Sequence, residues 1–275
     1  NGDLTVACID NETYYLFGSS VAQNMHLRWF EKHLEGVDDV IYKNMTDDFH
    51  GIAISGPNSR ELLSRLTRED VSSDAFKFRD IRDTFIGGVP ALCVRLSFTG
   101  ELGYEIYVAP QYQLKLFEEI EEAGKDLDVK WFGGRALMSM RLEKSWGAWT
   151  MDFRPDFTLM ESGLDFFVNW NKDFIGKDAA LEEKKNGPSK HLSVIEIETE
   201  TDVSGDEAVM HNGKCISYIT SGGYGHSVEK SLAMTYLPVE LIDKDTELEV
   251  EILGQFYKAS VVMKPLYDPA GSKMR

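Results

Sequence analysis

The chain has 275 residues, 43% of them apolar and 11% aromatic, which is the composition of a folded protein and not of a disordered segment. Its 29 basic residues stand against 46 acidic ones, and the net charge of -17 argues against nucleic acid or an anionic membrane as the partner. There is no apolar run of transmembrane length and no signal segment at the start, and the three widely spaced cysteines form no disulfide framework; the expectation is a soluble chain of cytoplasmic type.

The first residues already read as structure. "DLTVACID" and "YYLFGSS" alternate as two strands joined by a polar turn. A helix is expected over about residues 21–33, with Met25, Leu27, Phe30 and Leu34 on or near its apolar side. "DDVIYKNM" reads as a further strand, followed by an acidic turn and the strand His50–Ser55. "GPNSRELLSRL" then opens a helix, with Pro57 placed for its start. Two strands follow, "DIRDTFI" and "VPALCVRLSF", and then "SFTGELGYEIYV", a turn leading into a strand. In that strand Tyr104, Ile106 and Val108 alternate onto one face, while Glu105 and Tyr107 point to the other. A helix is expected over residues 111–123. Hairpins dominate over crossovers, so the predicted class is α+β.

A Trp-bearing helix, "GGRALMSMRLEKSWGAW", leads to the aromatic-rich segment "MDFRPDFTLMESGLDFFVNWNKDFIGK" and then to a helix end and linker with a break at "NGPS". Beyond it come "HLSVIEIET", "CISYITSGG", "KSLAMTYLP", "TELEVEIL" and "QFYKASVVM", five short strands at regular spacing that predict a small β-barrel or sandwich. The Gly-rich "TSGGYGHS" falls between two of them and reads as a tight turn. The texture changes near residue 188, which divides the chain into domains 1–188 and 189–275.

Nucleotide-loop, zinc-protease and serine-hydrolase signatures are absent, and the six histidines contain no i,i+4 pair, so no metal site is expected. What remains is charge set in apolar surroundings: Asp3 before "LTV", Glu105 in its hairpin, and Arg135 and Arg141 on the Trp-bearing helix. Each either faces water, joins a structural ion pair or is held for a ligand, and residue pattern does not choose among these.

Four stretches, "SFTGELGYEIYV", "GGRALMSMRLEKSWGAW", "ESGLDFFVNWNKDFIGK" and "TSGGYGHSVEKSLAMTYLP", occur in an order that resembles the glycine-cleavage T-protein (aminomethyltransferase) superfamily. The resemblance runs the whole length and is nearest to the C-terminal folate-binding part of dimethylglycine and sarcosine dehydrogenases. It implies a two-lobed α+β folate-binding domain followed by a β-barrel, with tetrahydrofolate in a central cavity. By motif, Glu105 is expected to receive the paired N–H donors of the pterin. Asp3 is expected to be the catalytic aspartate, taking a proton as its anion and steadying a cationic intermediate. Arg135 is expected to hold the pterin carbonyl or the glutamyl carboxylate, with Phe98, Ser19, Phe166 and Tyr104 as further cofactor-binding residues. Arg141 is expected to form an ion pair.

The sequence departs from the family pattern at several points. Phe98 replaces a frequent Tyr, so a hydroxyl is lost while the stacking surface stays. Ser19 replaces an Asn of the glycine-cleavage enzymes, Phe166 replaces a Trp found in some, and no pocket arginine falls near "VSGDEAVM". Relatives also carry a long segment before "DLTV" that completes the first lobe, so the chain is expected to be part of something longer. The resemblance implies capture, as 5,10-methylenetetrahydrofolate, of the carbon released by oxidative demethylation of an N-methylglycine. FAD would belong only to an upstream domain or partner polypeptide. The alternatives are an aminomethyltransferase of the glycine-cleavage type and a non-catalytic folate-binding protein. The expected compartment is cytoplasmic, or the mitochondrial matrix in a eukaryote.

Overall fold

The computed structural model describes residues 4–275. Their contacts divide them into two compact units, residues 4–137 with 270–275 and residues 138–269. The fold is α+β with a closed barrel in the second unit. Among the described residues, no helix is long and apolar enough to cross a membrane.

The first unit opens with the hairpin β1 (Thr5–Cys8) and β2 (Tyr14–Phe17), paired in register Val6↔Leu16. Asp10 closes its turn by accepting the amides of Glu12 and Thr13 at 2.8 and 2.7 Å. Helix α1 (Gln23–Leu34) follows a short 3-10 turn, close to the expected span, although none of its residues is fully buried. No strand forms at "DDVIYKNM". The short apolar run at residues 40–42 has no ladder to join, and Ile41 is left 96% exposed.

The remaining elements of this unit are β3 (His50–Ser55), α2 (Ser59–Leu66), β4 (Ile81–Ile86), β5 (Val89–Val94), β6 (Gly103–Val108) and α3 (Gln113–Ala123). The strands make one antiparallel sheet in the order β3-β6-β5-β4. Period-two alternation sends Ile54 of β3, Ala91 and Cys93 of β5, and Tyr104, Ile106 and Val108 of β6 into one core with Leu62, Leu63 and Leu66 of α2 and Leu116 and Ile120 of α3. The helices therefore cover one sheet face only, and Glu105 and Tyr107 lie on the other.

Helix α4 (Gly134–Glu143) is shorter than the sequence predicts. A Schellman closure stops it: the Trp146 amide donates to the Arg141 carbonyl at 3.0 Å and the Ser145 amide to Leu142 at 2.8 Å. Ser145 takes the left-handed position usually given to glycine, with φ of 58°, which is why the stop is hard to read in the sequence.

In the second unit α5 (Lys177–Asn186) ends at Gly187, whose φ is 78°. Six strands follow: β7 (Lys190–Ile197), β8 (Ala208–His211), β9 (Lys214–Gly225), β10 (Lys230–Pro238), β11 (Leu248–Ile252) and β12 (Gln255–Val262). They close as β10-β7-β12-β11-β8-β9 around Ile195, Val209, Ile219, Leu237 and Val250. Five of these strands are those expected from the sequence; β8, only four residues long, carries too little pattern to be legible there. The expected tight turn at "TSGGYGHS" is also corrected, because β9 continues to Gly225 and the hairpin bends over residues 226–229. Glycine serves close approach here, not turning: a Cβ on Gly222 would come within 2.6 Å of Val203 Cγ1, and one on Gly225 within 2.9 Å of Glu143 Cγ.

Candidate functional site

The sheet's second face carries a carboxylate in a built setting. Glu105 pairs with Ala53 of β3 on one side and Val94 of β5 on the other. It is half-buried. Two residues on, Tyr107 lies opposite Gly51 and Leu92, and its hydroxyl donates to Glu105 Oε2 at 2.6 Å. Burial first, and then the charge and hydrogen bond of Glu105, push the Tyr107 phenol well above its ordinary value, so it stays a proton donor.

Small residues beside these two side chains leave room. Gly51 and Ala53, both exposed, present almost nothing on the face that Glu105 and Tyr107 share. A Cβ on Gly51 would sit 3.0 Å from the Tyr107 ring, so the ring lies against bare backbone. Phe17 of β2 packs against the same ring with centroids 4.8 Å apart, and Tyr15 continues the aromatic set toward Phe49. An ionised carboxylate has about four acceptor sites, so one phenol leaves most of them for paired donors of a ligand, with flat aromatic surface beside them.

The other expected site residues are spread. Tyr104 is fully buried on the opposite face of the same strand, its ring 5.6 Å from Phe76 and its hydroxyl accepting from Arg60 Nε at 3.4 Å. The sheet therefore separates Tyr104 from Glu105. Phe98 is half-buried in the loop from β5 to β6, which is braced by Ser55 Oγ and Thr99 Oγ1 at 2.5 Å. Ser19, also half-buried, precedes the 3-10 turn before α1, and its carbonyl accepts from the Ala22 amide at 3.0 Å. Arg135 is exposed in the first turn of α4. Phe166 belongs to the barrel unit, 72% exposed, its ring tilted against Phe167. Asp3 lies outside the described residues. Tyr107, Phe17 and Gly51 were not singled out as site residues from the sequence. Tyr107 could have been found from its two-residue spacing to Glu105, whereas Gly51 requires the strand register.

Arg141 occupies the ion pair expected of it, inside the barrel unit. Arg141 and Asp152 are 1% and 0% exposed and meet at 2.6 Å. Asp152 also accepts from the Ala148 amide and from the hydroxyls of Thr220 and Ser221, at 2.9, 2.5 and 2.7 Å. Burial lowers the Arg141 pKa, and the Asp152 charge opposes that shift.

This α+β fold with its closed barrel is similar to that of a solved aminomethyltransferase. The crystal structure of glycine cleavage system aminomethyltransferase T from Bartonella henselae matches 98% of this chain and 72% of its own, with a TM-score of 0.85 at 25% identity. Residues 1–172 match the GCVT N-terminal domain, and residues 190–268 match the glycine cleavage T-protein C-terminal barrel domain. The chain belongs to the glycine cleavage T-protein family. It is 37% identical over 268 residues to the human mitochondrial dimethylglycine dehydrogenase, covering 96% of this chain and 31% of that protein. An aminomethyltransferase of a Geobacillus strain is 34% identical, with 94% and 70% of the two chains covered. A formaldehyde-forming 4-methylaminobutanoate oxidase of Paenarthrobacter nicotinovorans is 35% identical over 82% of this chain. The chain thus spans about a third of the dimethylglycine dehydrogenases it matches.

Proposed function

We propose that this chain is a tetrahydrofolate-dependent one-carbon transfer module that captures, as 5,10-methylenetetrahydrofolate, the carbon released when an N-methylated glycine is oxidatively demethylated. The observation that carries the reading is Glu105, a half-buried carboxylate oriented by a phenol and flanked by Phe17, Tyr107 and bare strand backbone. Those features suit a flat heterocycle with adjacent N–H donors. Tetrahydrofolate supplies the nitrogens that take up the carbon. Glu105 binds and orients the pterin, Arg135 is assigned to its carbonyl or to the glutamyl carboxylate, and Phe98 offers stacking surface. Ser19 and Phe166 are further residues assigned to the cofactor, whereas Tyr104, fully buried on the opposite face of the strand, packs the core behind Glu105 and is not assigned to the cofactor. Asp3 is assigned to accept the proton that a folate nitrogen loses on attack. We assign residues 1–188 to folate binding and residues 189–275 to the barrel domain. Flavin chemistry would belong to another part of a longer polypeptide or to a partner, in a soluble compartment such as the mitochondrial matrix of a eukaryote.

A second reading, transfer from a carrier-bound aminomethyl group, is favoured by the 70% coverage of the Geobacillus aminomethyltransferase. A lipoyl carrier protein would stimulate only that reaction.

The test is tetrahydrofolate binding by calorimetry and rapid-quench formation of methylenetetrahydrofolate, both on the full-length protein. Glu105→Ala is expected to weaken binding by about 2–4 kcal/mol, because buried pterin donors lose their acceptor. Asp3→Asn is expected to lower turnover by roughly 10²-fold while affinity moves much less. An unchanged dissociation constant in Glu105→Ala would refute the site. Equal losses of turnover and affinity in Asp3→Asn would make Asp3 a binding residue.

A further inference from the structure

The phenol of Tyr107 lies within 2.6 Å of Glu105 Oε2, and three features of the fold hold it there. Its strand position, two residues from Glu105, puts both side chains on one face. Across the ladder stands Gly51, against whose backbone the ring lies so closely that a Cβ would meet Cε1 at 3.0 Å and Cδ1 at 3.2 Å. From the other side comes Phe17, with ring centroids 4.8 Å apart and planes 33° apart. A ring confined in this way offers its hydroxyl in one direction. A glutamate has three side-chain torsions, and a carboxylate free to explore them must be ordered again by every ligand it binds.

We infer that Tyr107 is a positioning residue that fixes the Glu105 carboxylate in the orientation that receives a ligand's paired N–H donors, with Gly51 and Phe17 as the supports that aim it. This rests on the folate-binding reading of Glu105. The hydroxyl occupies one acceptor site on Oε2 and leaves Oε1 open, so the carboxylate presents an ordered edge to two parallel donors. Such an edge selects for a ligand with adjacent ring and exocyclic N–H groups over one that lacks the exocyclic amine. Tyr107 acts through Glu105, and its ring is not required to touch the ligand.

Two measurements on the full-length protein decide this. The first needs no ligand: with ring-labelled tyrosine, the wild type should show a downfield, slowly exchanging phenolic proton that disappears in Tyr107→Phe and shifts in Glu105→Gln. The second is tetrahydrofolate affinity by calorimetry in Tyr107→Phe, Glu105→Gln and the double variant. Tyr107→Phe keeps the ring and should bind roughly tenfold more weakly, the scale of one charge-assisted hydrogen bond. The double variant should bind no worse than Glu105→Gln, because the phenol has nothing left to orient. Gly51→Ala, which crowds the ring without removing the hydroxyl, should lose affinity in the same direction and guards against a folding defect in Tyr107→Phe. Unchanged or tighter binding in Tyr107→Phe, or additive losses in the double variant, would overturn the inference. A wild type that shows the phenolic signal but binds no tetrahydrofolate would refute the folate reading and with it the ligand role of Tyr107, leaving the Glu105–Tyr107 contact as structure alone.

Discussion

Replacing Arg141 with methionine tests the buried charge pair of the barrel unit. Methionine keeps much of the unbranched stem and removes the guanidinium, which donates to Asp152 at 2.6 Å and to the Trp146 carbonyl at 2.9 Å. The Asp152 carboxylate, 0% exposed, would then be held by the Ala148 amide and two hydroxyls, all neutral. Leaving one charge of a buried pair uncompensated costs about 3–5 kcal/mol, a large share of the 5–15 kcal/mol that holds a typical domain. Asp152→Asn strands the cation in the same way. In that variant the amide can still turn its oxygen to Arg141 and Ala148 and its nitrogen to Thr220 and Ser221, so its loss should be nearer the lower end of that range. With both replaced neither charge of this pair remains, and the double variant should lose less than the sum of the singles by about 1–3 kcal/mol. Urea unfolding followed by tryptophan fluorescence, with the slope checked for constancy, measures all three. A loss below about 1 kcal/mol in Arg141→Met, or strict additivity in the double variant, would refute the claim that this pair anchors the barrel unit.

Two further outcomes follow from local geometry. Gly222→Ala should cost about 1–3 kcal/mol in the same assay, because the added Cβ meets Val203 at 2.6 Å, whereas Gly213→Ala meets open space and should lose only the milder cost of a φ of 73°, about 1 kcal/mol. The Asp10 carboxyl is held below its ordinary 3.8, first by the Glu12 amide, so its support of the β1–β2 turn is complete above that value and is lost as pH falls through the lowered one. Amide-exchange protection in this hairpin, corrected for intrinsic rates, should therefore fall on acidification in the wild type and stay level in Asp10→Asn.

Local pattern determined much of this protein. Alternation placed Glu105 and Tyr107 on one face of β6 and Tyr104, Ile106 and Val108 on the other, because strand geometry has a period of two whatever surrounds it. Gly187 marked the end of α5, since a glycine at positive φ cannot continue a helix and so ends it locally. The motifs carried the family, and the regular short strands carried the barrel. Tertiary structure decided the rest. "DDVIYKNM" reads as a strand from its Val-Ile-Tyr run yet finds no ladder, because pairing depends on what lies alongside and not on the segment itself. "TSGGYG" reads as a turn yet runs as strand, its glycines demanded by Val203 and Glu143, which are far away in sequence. Arg141 reads as a charged residue on a helix, and only the fold brings Asp152 to it and excludes water from both. At the candidate site the sequence supplied Glu105, but Phe17 and Gly51 became its neighbours through strand register and ring packing, which are long-range choices that no local pattern encodes.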